Sequence, residues 1–171
     1  MSRPNFMLLG LVTGLIVLIA DQLSKWWVLH VLDLPTLRQV VLLPMLNLTM
    51  VWNRGVTFGL LNGLGSWGHV LLALIALSVV VALWMWLRRA ESKLVALAIG
   101  AITGGAIGNV IDRVQYGAVV DFIDAHLDTN WGDFHWYVFN VADAAIVCGV
   151  AALILDIQLS KRRQERDRIP T

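Results

Sequence analysis

The chain has 171 residues, of which 58% are hydrophobic and only 15% are charged. Soluble domains average about 45–50% apolar and about 25% charged residues, and a domain of this size has too small an interior to bury the excess apolar surface. The net charge of +1, with no basic face before the C-terminal tail, argues against nucleic-acid binding. A single cysteine, Cys148, excludes an internal disulfide framework and a Cys-rich metal site.

Four apolar stretches are each close to the ~20 residues that a helix needs to cross a bilayer. They cover residues 6–29, 70–87, 94–111 and 138–159. These stretches predict one integral membrane domain over residues 1–171. A cleavable signal peptide is disfavoured, because a cut after Ala20 requires a small residue where Leu18 stands.

The basic residues predict the orientation of these spans. Nine of the thirteen Lys and Arg residues lie on the side of the N-terminus, which the positive-inside rule assigns to the cytoplasm. Both termini are then cytoplasmic, and the two long loops, residues 30–69 and 114–137, lie outside. Function is therefore expected near the outer face.

The first outer loop contains a strand pattern. Leu46, Leu48, Met50 and Trp52 alternate with other residues at a period of two, which is typical of a half-buried strand. The turn sequence Asn53-Arg54-Gly55 follows. The predicted fold class is an all-α membrane protein with four transmembrane helices and a small extracytoplasmic β-structure on the outer membrane surface.

Charged residues in the predicted spans invite functional hypotheses, because each costs roughly 2.5–3.5 kcal/mol at the bilayer centre on insertion scales. Asp21 and Lys25 are four residues apart and can form an ion pair on one helix face. Gly100, Gly104 and Gly108 predict close packing of another helix against the third span.

Further polar residues reach the same outer level of the bilayer from separate segments, and they are Asn109, Arg113, Asp121, Asp124, Asn140 and Asp143. Their convergence predicts a wet internal site. Two carboxylates held close together cannot both ionise cheaply, so one acts as a base while its protonated partner stabilises an oxyanion. Such a pair can activate water for peptide hydrolysis without a metal or an organic cofactor.

Two other chemistries fit less well. Ser24 and Lys25 are adjacent, so they do not face each other on a helix as a Ser-Lys dyad would. A metal is disfavoured because the spacing of its candidate ligands matches no recognised motif, these ligands being His126, Asp128, Asp133 and His135.

Several sequence blocks together resemble one known family, the lipoprotein signal peptidases, also called signal peptidase II. The blocks are DQLSK at 21–25, LNLTMVWNRGVTF at 46–58, GGAIGNVIDRVQYGAVVDFID at 104–124 and FNVADAAI at 139–146. Their order, spacing and hydropathy agree with the family over nearly the whole chain.

The resemblance implies a four-helix membrane bundle with a small extracytoplasmic β-cradle and a surface helix. It implies that Asp121, in VVDF, and Asp143, in NVAD, are the catalytic aspartates, and that Asp124 is not catalytic. Residues that line or support such a site match Asp21, Lys25, Asn53, Gly55, Asn109, Arg113 and Asn140.

The implied reaction is cleavage of a bacterial prolipoprotein just before its diacylglyceryl-modified cysteine, which releases the signal peptide. The expected location is the bacterial inner membrane, with a monomeric enzyme whose partners are membrane lipid and lipid-modified prolipoproteins. Two alternatives stay open. A small transporter or ion pathway would use the same carboxylates as a relay, and a non-enzymatic scaffold would use them to hold helices together.

Overall fold

The computed structural model of the protein describes residues 6–55, 67–129, 132–135 and 137–167, with side chains left out at 127–135 and 162–167. Its helices are α1 Met7–His30, α2 Leu34–Leu37, α3 Gly68–Leu87, α4 Lys93–Tyr116 and α5 Val141–Asp167. Four of them, α1, α3, α4 and the first 21 residues of α5, are long and apolar enough to cross a membrane. The prediction of four transmembrane helices is confirmed.

Helix α4 is the centre of the bundle and packs against α1, α3 and α5. In its apolar window 61% of the residues are buried, against 11–17% in the other three helices. Glycines allow this close packing: a Cβ atom at Gly100 would collide with the backbone of Gly10, and one at Gly104 with that of Gly14. The predicted packing role of these glycines is confirmed.

The ends of two helices differ from the sequence prediction. Helix α4 continues past residue 111 to Tyr116, where Gly117 adopts the left-handed conformation (φ 70°) and donates its N–H to the Arg113 carbonyl at 3.0 Å. Helix α5 begins at Val141 and not at residue 138, because the Phe139 backbone is hydrogen-bonded to Ile123. The predicted outer loop 114–137 therefore starts inside a helix.

Four strands form an antiparallel sheet in the order β1-β2-β3-β4, with bounds Gln39–Leu43, Leu46–Asn53, Val119–Thr129 and Gly132–His135. Strand β2 confirms the predicted period-2 segment. The sequence did not predict β3, which places Asp121 and Asp124 on a strand and corrects their assignment to a loop.

The sheet is attached to one end of the bundle by a small apolar core. Its buried members come from α1, α2, β2 and β3, and they are Val28, Leu34, Leu48, Val120 and Phe122. On the opposite side of β3 from β2, the N–H of Ile123 donates to the Phe139 carbonyl at 2.8 Å. In this part of the sheet, strand β3 therefore lies between β2 and the segment that leads into α5.

Candidate active site

Asp121 lies on strand β3, and its side chain is buried, with only 1% exposure. Its Oδ2 atom accepts a hydrogen bond from Asn53 Nδ2 at 2.9 Å, and its Oδ1 atom accepts one from Asn140 Nδ2 at 2.7 Å. Asn53 stands at the end of β2, whose Val51 is directly opposite Asp121. Two neutral amides therefore fix the carboxyl group of Asp121.

Asp143 lies in the first turn of α5 and is half-buried. Its Oδ1 atom accepts a hydrogen bond from Asn109 Nδ2 at 2.8 Å. Asn140 caps the helix by accepting the Asp143 N–H at 2.9 Å, and Asp143 Oδ2 accepts the Asn140 N–H at 3.3 Å. This reciprocal arrangement is a capping box, which fixes the side chain of Asp143 against the helix end.

Asn140 connects the two aspartates directly. Its backbone and Oδ1 bind Asp143, while its Nδ2 lies 2.7 Å from Asp121 Oδ1 and 3.1 Å from Asn109 Oδ1. The side chain is fully buried, with 0% exposure. One asparagine therefore holds both carboxyl groups in a fixed mutual position.

Both aspartates line a single cavity of about 1070 Å³. Its other walls come from β2, from the segment before α5 and from the first two turns of α5, and they include Trp52, Asn53, Tyr137, Phe139, Val147 and Cys148. A mostly apolar cavity with a few convergent polar groups is the usual form of a binding site for an apolar ligand.

Burial is the main reason why the pKa of Asp121 is raised from 3.8 to about 6. The charge of Asp143 raises this pKa further, whereas the hydrogen bonds from Asn53 and Asn140 and the more distant charge of Lys25 oppose the change. Asp121 thus keeps its proton to a higher pH than an ordinary aspartic acid.

A buried polar layer lies beneath the two aspartates. Lys25 Nζ is 2.8 Å from Asp21 Oδ2, which confirms the predicted ion pair, and it donates to Asn109 Oδ1 at 3.2 Å. It is also 2.8 Å from Asp112 Oδ2. Sequence reasoning did not single out Asp112, although a charged residue three positions after Asn109 was a usable signal.

The remaining predicted site residues lie around this layer. Gly55 has φ 73° and donates its N–H to Asn53 Oδ1 at 2.9 Å, so it fixes the amide that binds Asp121. Arg113 donates to the Asn109 carbonyl at 3.1 Å, and its charge acts on Asp121, Asp143 and Asp112. The structure therefore brings all nine predicted residues into one region.

Asp124 is buried, with 4% exposure, and accepts a hydrogen bond from the Thr49 hydroxyl at 2.8 Å. It does not line the cavity that contains Asp121 and Asp143. The sequence alone predicts a solvated or a structural carboxylate at Asp124, and the burial of this side chain shows that the solvated role is wrong. The structural role agrees with its position.

The β3–β4 hairpin pairs His126 with His135 and Asp128 with Asp133 across the two strands. Among the described residues, no group of three or more His, Cys, Asp or Glu side chains is arranged to hold a metal. The side chains of Asp128, Asp133 and His135 lie outside the described ones. The absence of a metal therefore stays a prediction.

Comparison with known proteins defines the class. Two solved structures of bacterial membrane enzymes each superpose on this chain with a TM-score of 0.76. The first is 28% identical in sequence, and the match covers 92% of this chain and 97% of the solved one. The second is 27% identical, and the match covers 100% of this chain and 99% of the solved one. The protein is thus a multi-pass membrane protein with the fold of a bacterial membrane enzyme.

The family follows from sequence similarity. The family model for signal peptidase (SPase) II matches residues 13–159. The lipoprotein signal peptidase of Methylobacterium sp. is 46% identical over 161 residues, which are 94% of each chain. That of Rhodopseudomonas palustris is 43% identical over 148 residues, 86% of this chain and 90% of the relative. The chain belongs to the signal peptidase II family and is a membrane peptidase, which confirms the resemblance.

Proposed function

We propose that the protein is an aspartyl endopeptidase in which Asp121 and Asp143 activate a water molecule to cleave a bacterial prolipoprotein just before its diacylglyceryl-modified cysteine. The observation that carries this proposal is the position of the two carboxyl groups. They come from different elements, β3 and α5, yet line one largely apolar cavity and share Asn140 as a hydrogen-bond partner.

The hydrogen-bond partners of the pair suit acid–base work. Asp121 and Asp143 each bind asparagine amides, and the cation of Lys25 is used by Asp21 and Asp112. A carboxylate in direct contact with a lysine would be held ionised, whereas an amide-bound carboxyl group can gain and lose a proton. The raised pKa of Asp121, about 6, favours Asp121 as the protonated member.

In the first step the ionised Asp143 removes a proton from water, and the water oxygen attacks the scissile carbonyl carbon. The protonated Asp121 hydrogen-bonds to the carbonyl oxygen as it becomes an oxyanion. Asp143 then passes the proton that it took from water to the peptide nitrogen, and the carbon–nitrogen bond breaks as the carbonyl group re-forms. The products are a signal peptide with a new carboxylate and a lipoprotein with a free amine on its lipidated cysteine.

The cavity wall supports a lipid-modified substrate. Val147 and Cys148 lie one to two turns into α5 from Asp143, so apolar surface extends from the carboxyl pair toward the middle of the helix. A signal helix and two acyl chains already reside in the bilayer, and a site near the hydrocarbon boundary meets the scissile bond where water also arrives.

The proposed orientation places this site at the outer face of the bacterial inner membrane and both termini in the cytoplasm. It rests on the distribution of basic residues and on the position of the sheet at one end of the bundle. Cysteine labelling of intact cells in a Cys148→Ser background tests it. A cysteine at Asp33 should be labelled from outside and one at Arg89 should not, and the reverse pattern contradicts this orientation.

The activity is tested with two matched precursors that differ only in whether the cysteine carries the diacylglyceryl group. The purified protein should cut only the lipidated precursor and not the unmodified one. Mass spectrometry should find the lipidated cysteine as the new N-terminal residue. Asp143→Asn should be inactive, while Asp156→Asn, which changes a carboxylate near the inner end of α5, should be active. Equal cleavage by Asp143→Asn and the unchanged protein would refute the proposal.

A further inference from the structure

One buried lysine binds two carboxylates beneath the site. Lys25 Nζ lies 2.8 Å from Asp21 Oδ2 on its own helix and 2.8 Å from Asp112 Oδ2 on α4. All three side chains are at most 3% exposed. Gln22 donates from Nε2 to Asp112 Oδ1 at 3.1 Å and to Asp21 Oδ2 at 3.1 Å, so each carboxylate has further support.

Each of these carboxylates also accepts one backbone N–H group. In both cases the donor is the residue directly before one of the two proposed catalytic aspartates. Asp112 Oδ2 accepts the N–H of Val120 at 3.0 Å, and Val120 directly precedes Asp121. Asp21 Oδ1 accepts the N–H of Ala142 at 3.0 Å, and Ala142 directly precedes Asp143. Lys25 is therefore joined to the backbone next to both aspartates through one carboxylate on each side.

The hydrogen bond between Asp112 and Val120 also fixes the start of β3 against the C-terminal end of α4. The chain turns at Gly117 between the two residues, and the Asp112 side chain crosses this turn. The Val120 carbonyl, on the same edge of β3, accepts a weaker hydrogen bond from Asn140 Nδ2 at 3.4 Å. Asp112 thus makes the shorter of these two side-chain contacts with the Val120 backbone.

We infer that Asp112 is a positioning residue for the proposed aspartate pair: together with Lys25 and Asp21 it fixes the distance between Asp121 and Asp143 through the backbone amides of Val120 and Ala142. This inference rests on the proposed function. Asp112 does not line the cavity of the two aspartates, and it lies instead on a separate groove of about 510 Å³ beside α1 and α4.

The location of Asp112 separates its effect on the reaction from any effect on substrate binding. A displacement of about 1 Å in a reacting group can lower a rate about 100-fold. Loss of Asp112 should therefore lower kcat, while KM should stay within about twofold because the cavity wall is unchanged.

The experiment uses the full-length protein in detergent and compares Asp112→Ala with Asp112→Asn, with kcat expressed per folded protein. Alanine removes both the charge and the acceptor of the Val120 N–H, whereas asparagine removes the charge and keeps an acceptor oxygen. We expect kcat to fall about 100-fold for Asp112→Ala and about tenfold for Asp112→Asn, with KM within about twofold for both. Asp156→Asn, which alters a carboxylate bound to Ser92 far from the pair, should keep kcat within about twofold.

The inference is overturned if folded Asp112→Ala keeps kcat within about threefold of the unchanged protein, or if its loss appears only in KM. If Asp112→Ala does not fold, Asp112→Asn decides alone: a fall in kcat of about tenfold at constant KM supports the inference, and an unchanged kcat overturns it. An Asp121→Asn arm separates the two proposals. Activity in Asp121→Asn refutes the proposed function, whereas an inactive Asp121→Asn beside fully active Asp112 variants refutes only the role of Asp112.

Discussion

Asp121 and Asp124 are three residues apart on β3, both are nearly fully buried, and they have different surroundings. Successive side chains of a strand point to opposite faces, so residues three apart lie on opposite sides of β3. Asp121 faces the bundle, binds the amides of Asn53 and Asn140, and lines the cavity. Asp124 binds the Thr49 hydroxyl in the neighbouring strand and has no part in that cavity.

Burial alone therefore does not distinguish Asp121, the proposed catalytic carboxylate, from Asp124. What distinguishes Asp121 is a second carboxylate on the same cavity, a shared asparagine and space for a ligand. Asp124 accepts a hydrogen bond from Thr49 within the sheet and does not line that cavity. Each of these differences can be altered by itself, and the expected effects differ in size.

Among changes to the surroundings of the two aspartates, the largest effect is expected from Asn140→Ala, because Asn140 donates a hydrogen bond to Asp121. Removal of one preorganised donor from a site of charge development typically costs about 100- to 1000-fold in kcat, and a fall of that size is expected here. Cleavage of lipidated precursor by purified protein measures it.

The matched control is Ser92→Ala, which removes a helix cap at the other end of the bundle, where Ser92 accepts the N–H groups of Leu94 and Val95. Both variants lose about 1 kcal/mol of capping stability, but Ser92→Ala should keep its activity. Similar activities for the two variants would show that Asn140 acts only as a cap.

A pH profile of kcat/KM comes next. In the proposed mechanism the active form has one protonated and one ionised carboxyl group, and burial with the charge of Asp143 raises the pKa of Asp121 to about 6. As pH rises through that value the last proton leaves, so kcat/KM should fall about tenfold per pH unit on the alkaline side. The apparent value belongs to the pair. A profile that is flat across this range would contradict a shared proton.

The same pKa predicts a pH-dependent stability difference between Asp121→Asn and the unchanged protein. The unfolded pKa of an aspartate is about 3.9, and in the folded protein that of Asp121 is about 6, so folding takes up a proton between these values. The stability contributed by protonated Asp121 is fully present below about pH 4 and is lost as pH rises through about 6. Asparagine does not titrate, so Asp121→Asn should gain relative stability over this window, by about 3 kcal/mol at most.

Thermal unfolding midpoints in detergent at the two ends of the window measure this gain. Leu48→Val, which shortens a buried apolar side chain in β2, should change the midpoint equally at both pH values. If the midpoints of Asp121→Asn and the unchanged protein differ by the same amount at both pH values, the Asp121 carboxyl group has an ordinary pKa.

The smallest effect is expected from a chelator, which tests the other end of β3. There the backbone register pairs His126 with His135 and Asp128 with Asp133, whereas the Asp121 end needs no metal in the proposed mechanism. Treatment with a chelator should leave cleavage unchanged. Loss of activity that added zinc restores would move the active centre toward the hairpin.

Much of this architecture was predictable from the sequence, because the bilayer imposes simple rules on length and charge. The four spans, the Asp21–Lys25 pair and strand β2 follow from apolar length, helical spacing and period-2 alternation. Strand β3 was missed because its sequence, VVDFIDAHLDT, does not alternate regularly. In the first six residues of β3, apolar and charged side chains are buried on both faces of the strand, with Val119 and Asp121 on one face and Val120, Phe122 and Asp124 on the other.

Asp112 was missed for a related reason. The predicted third span ended at residue 111 and the predicted outer loop began at 114, so Asp112 was given no role, although α4 continues to Tyr116. Its partners are distant in the chain: Lys25 comes from α1 and Val120 from β3. Contacts of this kind depend on tertiary packing, which local spacing does not encode.

The central claim is that Asp121 and Asp143 form the catalytic pair, and the most direct measurement compares Asp121→Asn with Asp124→Asn. Both changes replace a buried carboxyl group on one strand by an amide of nearly equal size. At equal membrane abundance, Asp121→Asn should lower cleavage of the lipidated precursor by about four orders of magnitude or more, as expected when one member of a catalytic unit is lost. Asp124→Asn should stay within about tenfold of the unchanged protein. An inactive Asp124→Asn beside an active Asp121→Asn would contradict the assignment.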